Sequence, residues 1–339
     1  MSRLRALILI IAFALTACAG LNPATRATRT AVPAPAVTPV IAAHNIQLLV
    51  FPEDNDQQLF TRIAGARKRV LMTMYLITDL RIVDALAAAK GRGADVRALV
   101  EPNVFGSADS NKAALDKLTA AGIETRRSSP AFRLTHQKSF VVDDTAIILT
   151  PNITRSAFKS NREFGSIHGD AADVNDMVAQ FDADWNRTQF QPRSEQLVWS
   201  PNNSRARWVA LIRSAKTSLA LYAETAADRG IALELVSAAK RGVAVRLMIS
   251  PDKDPAKDPN KEGLDELQRG AVKVRYLKSH FVHAKIIVSD DAMAFLGSVN
   301  ISSASLDLNR ELGLMFDDRE AVLRVMKTFE NDWSRAVDR

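Results

Sequence analysis

Two eight-residue strings in this 339-residue chain carry the same chemistry. His136-Gln137-Lys138-Ser139-Phe140-Val141-Val142-Asp143 and His283-Ala284-Lys285-Ile286-Ile287-Val288-Ser289-Asp290 both read H-x-K-x4-D. The chain has only five histidines, so two of them in one pattern are not a coincidence of composition. Each string is apolar and β-branched, as a buried strand is, and the period-two pleat points His and Lys to one side. A lysine beside an apolar run is costly to bury unless it meets an anion. Two such lysines therefore imply an anionic guest, and phosphate suits the charge and size. Downstream of the strings lie Asn152 and Asn300, then NREFG (161–165) and NRELG (309–313), which carry Glu163 and Glu311. No cysteine pair, HExxH string or acidic cluster accompanies the histidines, so neither a metal site nor a cofactor is expected.

The elements that must position these residues are also written twice. The segment LLVFPEDNDQQLFTRIAGARKRVLMTMYLITDLRIVDALAAAKGRGADVRALVEP returns as LVWSPNNSRARWVALIRSAKTSLALYAETAADRGIALELVSAAKRGVAVRLMISP. Each copy reads strand, helix, strand, helix, strand, with the second helix closed near Gly91 or Gly242. Each half then ends alike, on FDADW (181–185) and FENDW (329–333). His283 follows His136 by 147 residues, and Trp333 follows Trp185 by 148. A period this long is a duplicated α/β domain rather than a solenoid. Its two halves are expected to face each other across a pseudo-twofold axis. Tyr75 and Tyr222, placed at the ends of corresponding strands, are read mainly as core residues, as are Trp185 and Trp333. His44, His168 and His280 fall outside the pattern, with His280 near enough to the second string to reach a pocket mouth. The Pro-rich charged run 252–263 is read as a surface loop.

With two H-x-K-x4-D strings, each followed by an Asn and a Glu, the sequence resembles the phospholipase D superfamily over about residues 46–339. The resemblance implies a duplicated phospholipase D-like α/β domain: two mixed-sheet halves flanked by helices, spanning 46–192 and 193–339. It also implies a metal-independent phosphodiesterase acting through a phosphohistidine. His136, Lys138, His283 and Lys285 would be catalytic, with one His attacking phosphorus and the other serving the leaving group. Asn152, Asn300, Ser298 and Thr150 would bind phosphate, while Glu163 and Glu311 would orient the histidines. Asp143 and Asp290 would organise turns. The family's Gly-Ser-x-Asn stands intact as Gly297-Ser298-Val299-Asn300 but is replaced by Leu149-Thr150-Pro151-Asn152 in the first half. Loss of a permissive Gly and of one N–H predicts a weaker first half-site, with Asn300 contributing more than Asn152.

Composition narrows the partners. Apolar residues are 47% and charged residues 24% of the chain, which excludes a disordered or polytopic protein. Formal net charge is +7, or about +5 once Arg3 and Arg5 leave with a signal peptide, and this favours anionic partners. Residues 1–17 combine those arginines with a short apolar run and end at Leu15-Thr16-Ala17-Cys18, which resembles a bacterial lipobox. Cys18, the single cysteine, would be lipidated and followed by an Ala/Pro/Thr-rich linker to residue 45. The expected product is an exported, membrane-anchored lipoprotein. Phospholipid is the favoured substrate, by hydrolysis or by phosphatidyl transfer. An extracytoplasmic nuclease is the alternative, although 6% aromatic content offers few stacking platforms for nucleic acid. No oligomer is required, because one chain holds both half-sites.

Overall fold

The structure, a computed structural model, describes residues 45–104 and 109–339. The signal segment, Cys18, the linker and His44 lie outside the described residues. The first half runs β1 (Gln47–Phe51), α1 (Gln57–Ala64), β2 (Arg69–Met74), α2 (Arg81–Gly91), β3 (Asp95–Val100), α3 (Lys112–Ala120) and β4 (Glu124–Arg127). It continues with β5 (Lys138–Val142), β6 (Thr145–Leu149), α4 (Arg155–Lys159), β7 (Asn161–His168) and α5 (Ala171–Asn186). The second half repeats this as β8 (Leu197–Ser200), α6 (Ser204–Ser214), β9 (Ser218–Tyr222), α7 (Arg229–Lys240), β10 (Ala244–Ile249), α8 (Lys261–Arg269) and β11 (Lys273–Tyr276). After the two-residue β12 (Phe281–Val282) come β13 (Ile286–Ser289), β14 (Met293–Gly297), α9 (Ser303–Asp307), β15 (Glu311–Phe316), α10 (Arg319–Arg335) and β16 (Val337–Asp338).

The first sheet is ordered β1-β7-β6-β5-β2-β3-β4 and the second β8-β15-β14-β13-β9-β10-β11-β16. Strands β2, β3 and β4 pair in parallel, as do β9, β10 and β11, while the hairpin strands pair antiparallel. The expected duplicated, mixed-sheet α/β architecture is what the chain adopts. Alternation along each strand divides the core into layers. On β2, Val70 and Met72 face an outer layer under α1 and α2, whereas Leu71 faces a layer shared by both halves. That shared layer also takes Phe181 of α5 and Phe329 of α10, so the terminal helices sit between the sheets. Equivalent helices begin on equivalent caps. Asp170 accepts the N–H of Ala172 and Asp173, and Asp318 accepts that of Ala321. Thr154 and Ser302 cap α4 and α9 in the same way.

Both string-ending aspartates shape turns, as their sequence position suggests. Asp143 and Asp290 adopt left-handed φ of 53° and 55°, which Asp tolerates better than most residues. Asp143 Oδ1 accepts the N–H of Arg67, Lys68 and Arg69, and Asp290 Oδ1 accepts those of Lys216, Thr217 and Ser218. Each hairpin is thereby fastened to the start of the neighbouring parallel strand. Partial burial pushes the Asp290 carboxyl up, but the backbone donors outweigh it and hold the group at about 2.

The halves are joined by reciprocal ion pairs. Arg162 of β7 is wholly buried and donates to Asp332 of α10 through Nε at 2.6 Å and Nη2 at 3.0 Å. It also reaches the Phe51 carbonyl and Glu53. Arg310, just before β15, returns the contact to Asp184 of α5 at 3.0 Å through both Nε and Nη2. Both aspartates come from the FDADW and FENDW strings. Of the tryptophans in those strings, Trp185 is buried in the shared layer and Trp333 half-buried against it, and arginines flank both rings. Removing one member of a buried ion pair leaves the other charge stranded. Arg162→Met should therefore lower unfolding free energy by about 3–5 kcal/mol in a denaturant titration. A loss under about 1 kcal/mol, the scale of an exposed pair, would show that this contact does not hold the halves together.

Candidate active site

Both H-x-K strings enter their sheets at the same end, and each entry is pinned to the opposite half. β12 pairs in parallel with Asn161–Arg162 of β7, and the His283 N–H donates to the Arg162 carbonyl at 3.3 Å. In the first half Thr135 bridges Arg310, and the His136 N–H donates to the Arg310 carbonyl at 2.9 Å. The two imidazoles therefore converge on one cavity of about 540 Å³, which Asn152 and Asn300 also line.

The carboxylates cross over as well. Glu311 of the second half accepts the Nδ1 proton of His136 at 3.0 Å, and its other oxygen takes donors from Ser305 and Asn309. Glu163 of the first half lies 2.7 Å from His283 Nδ1, an ion-pair distance that is too bent for a full hydrogen bond. Both carboxylates are fully buried. With Nδ1 of His136 bonded to a carboxylate and that of His283 facing one, Nε2 is the nitrogen left for chemistry. Lys138 and Lys285 are buried, and each donates to the carbonyl of its own histidine, at 2.7 Å and 2.6 Å. Burial, with the charge of Lys285 nearby, pushes the Lys138 ammonium down to about 7. Burial and Lys138 likewise hold the His136 imidazole below its ordinary value, against the opposing pull of Glu311.

Thr150 and Ser298 do not join the cavity, which corrects their expected role as phosphate ligands. Both are fully buried. The Thr150 hydroxyl donates to Glu163 at 2.6 Å and accepts the Phe164 N–H at 2.8 Å. The Ser298 hydroxyl exchanges bonds with the backbone of Leu312. Their hydroxyls turn toward β7 and β15, so Thr150 braces a carboxylate rather than a substrate. Among the described residues, no group of His, Cys, Asp and Glu is arranged to hold a metal ion.

The family described as "Cardiolipin synthase, PLD-like domain" matches this chain twice, at residues 59–185 and 208–333. The chain belongs to this family. Cardiolipin synthase B of Salmonella typhi is 26% identical over 336 residues, covering 81% of this chain and 77% of that protein. Phosphatidylserine synthase of Haemophilus influenzae superposes with a TM-score of 0.69 at 15% identity, covering 87% of each chain. Polyphosphate kinase of Porphyromonas gingivalis gives 0.67 at 17%, covering 85% of this chain, which spans half of that one. At such identities the structural likeness speaks for the fold alone.

Two features separate the PLD-like halves from their sequence reading. Gly297 lies opposite Gly313, and a Cβ on it would sit 2.4 Å from the Gly313 Cα. Its counterpart Leu149 lies opposite Gly165 and fits there, with the Thr150 N–H still bonded to Phe164 as Ser298 N–H is to Leu312. The glycine thus serves strand spacing, and Asn152 and Asn300 line the cavity alike, each with a buried Oδ1 lacking a partner. The expected weakening of the first half-site has no geometric basis.

The second feature is Glu224, which sequence reasoning missed by matching Tyr75 with Tyr222. Strand register pairs Thr73 with Ser139 and Tyr222 with Ile286, so Tyr222 corresponds to Thr73, and Tyr75 to Glu224. The signal lay in Asp79 and Asp228, whose N–H groups both donate to the isoleucine after the site Asn. Tyr75 reaches the cavity and packs edge-on to His136 at 4.7 Å, while Tyr222 is a core residue bonded to Asp332. His168 is a buried structural residue held by Asp173. The lowered His136 gives a direct test by imidazole NMR. It should titrate below the ordinary 6.5, and Glu311→Gln, which removes the carboxylate favouring the cation, should lower it further. An upward shift in that variant would contradict the pairing described here.

Proposed function

We propose that this protein is a phosphodiesterase or phosphatidyltransferase of phospholipase D type, acting on phospholipid through a phosphohistidine. The observation that carries it is the pair of imidazoles in one cavity, each with Nδ1 within 3.0 Å of a carboxylate of the opposite half. His136, kept neutral by burial and Lys138, suits the nucleophile. Its Nε2 bonds to phosphorus as the P–O bond to the leaving alkoxide breaks, and His283 gives that oxygen a proton. Water or an acceptor alcohol then returns a proton to His283 as its oxygen displaces His136. Lys138, Lys285, Asn152 and Asn300 hold the non-bridging oxygens. The printed names of the relatives, cardiolipin synthase and phosphatidylserine synthase, accord with phosphatidyl chemistry. Apolar lining by Leu76, Val104 and Leu134, with the exposed ring of Phe281 beside His283, suits acyl chains better than stacked bases.

Turnover of a soluble phosphodiester in EDTA is the primary test. Activity should persist, and His136→Ala or His283→Ala should each lower kcat/KM by at least about a hundredfold. The double variant should be scarcely worse, since the two act as one unit. A divalent-ion requirement, or half the activity left in each single variant, would refute the mechanism. Phospholipid vesicles should compete with the soluble substrate more strongly than single-stranded DNA, and the reverse order would favour the nuclease alternative.

Location forms part of this reading and rests on the sequence. Lipidation at Cys18 would hold the catalytic unit beside a bilayer at the end of a proline-rich tether. Among the described residues no helix is long and apolar enough to cross a membrane. Cys18→Ser, once processed to mature size, should leave the membrane fraction on a salt wash. A processed variant that stays would assign membrane binding to the folded halves instead.

A further inference from the structure

The second half-site already holds an anion. Where the first half places Tyr75, the second places Glu224, whose carboxylate accepts from Lys285 Nζ at 2.7 Å and Asn300 Nδ2 at 3.2 Å. One of its oxygens lies 3.6 Å from His283 Nε2. Lysine, asparagine and histidine are the three groups that would hold a phosphoryl oxygen, so the carboxylate stands where a phosphate oxygen would sit. In the first half Lys138 faces the ring of Tyr75 at 5.2 Å instead, and the carboxylate on that side, Glu311, is bonded to Nδ1 of His136. The Glu224 side chain is 27% exposed and opens onto the cavity. Burial pushes its carboxyl up, but His283 and Lys285 outweigh that and hold it well below the usual carboxylate range. Glu224 is therefore negative at any working pH.

We propose that Glu224 is a specificity-determining residue, a resident carboxylate that admits singly charged phosphodiesters and rejects doubly charged phosphomonoesters and inorganic phosphate. This rests on the phosphodiesterase reading above. A diester carries one negative charge, which Lys138 and Asn152 accept in the first half-site while one oxygen takes the place of the carboxylate on Lys285. A monoester has a second pKa near 6 and so carries almost two charges at neutral pH. Its extra charge would lie within a few ångströms of Glu224, where like charges repel. The monoester released by hydrolysis is subject to the same repulsion, so Glu224 also speeds its departure.

Calorimetry with two small anions decides the matter, using inorganic phosphate as the dianion and dimethyl phosphate as the monoanion, at pH 8 on the whole mature protein. Glu224→Gln should bind inorganic phosphate at least about tenfold tighter than the wild type. Its affinity for dimethyl phosphate should move by less than about threefold, a change below 1 kcal/mol. Glu224→Asp keeps the charge and should behave as the wild type. Glu224→Tyr, which copies the first half, is a second neutral variant with the same expectation as Glu224→Gln if the latter folds poorly. An unchanged phosphate affinity in the neutral variants, or an equal gain for both anions, would overturn the proposal and leave Glu224 a brace for Lys285. Wild-type turnover of a diester is measured alongside. Absent turnover with the selective gain retained would sink the phosphodiesterase reading alone.

Discussion

Neither half of this protein is complete without the other, because one strand in each supplies what its partner lacks. Arg162 and Glu163 are consecutive on β7, as Arg310 and Glu311 are at the start of β15, and consecutive strand residues point to opposite faces. The arginine enters the shared layer and pairs with the terminal helix of the other half. The glutamate emerges beyond that layer and meets the other half's histidine. The backbone of the same arginine receives the histidine's N–H. A single dipeptide therefore fixes the distance between the sheets and the tautomer of an imidazole. Rotation of one half against the other would strain both contacts together, which couples the interface to the geometry of the cavity.

The lysines stand at the opposite end of the energy scale. Two lysines are buried in one site, a cost to each ammonium, with the carboxylates of Glu163, Glu224 and Glu311 set around them and the histidines. Lys138 shows this in its lowered proton affinity, to which its counterpart contributes by repulsion. An anion bound beside Lys138 would favour the charged form that burial and Lys285 disfavour, so stability and ligand occupancy should be linked.

Much of this was legible in the chain. Duplication, sheet composition, the two histidines and the turn-forming aspartates all follow from strings repeated at a nearly fixed spacing. What failed was local. Tyr222 looked equivalent to Tyr75 because both are tyrosines near a strand end, yet the 149-residue offset that links Pro52 to Pro201 and Asp79 to Asp228 sets Thr73 against Tyr222, in agreement with the strand register. Glu224 was hidden by that slip. Thr150 and Ser298 were given to the substrate because a hydroxyl near a phosphate site invites it, yet pleat direction turns both inward. Which glutamate serves which histidine could not be read either, since the crossing depends on β12 joining β7 and sequence spacing carries no sign of it.

The non-equivalence of positions 75 and 224 has a consequence for how such a site can change over time. In a symmetric pair of identical chains, any residue placed beside one histidine appears beside the other, and an acid there would oppose itself across the axis. Joining the two copies in one polypeptide removes that constraint. The aromatic ring and the carboxylate flank different imidazoles, and the cavity has two chemically distinct walls built on one repeated frame. Direction has entered a site whose architecture began without one.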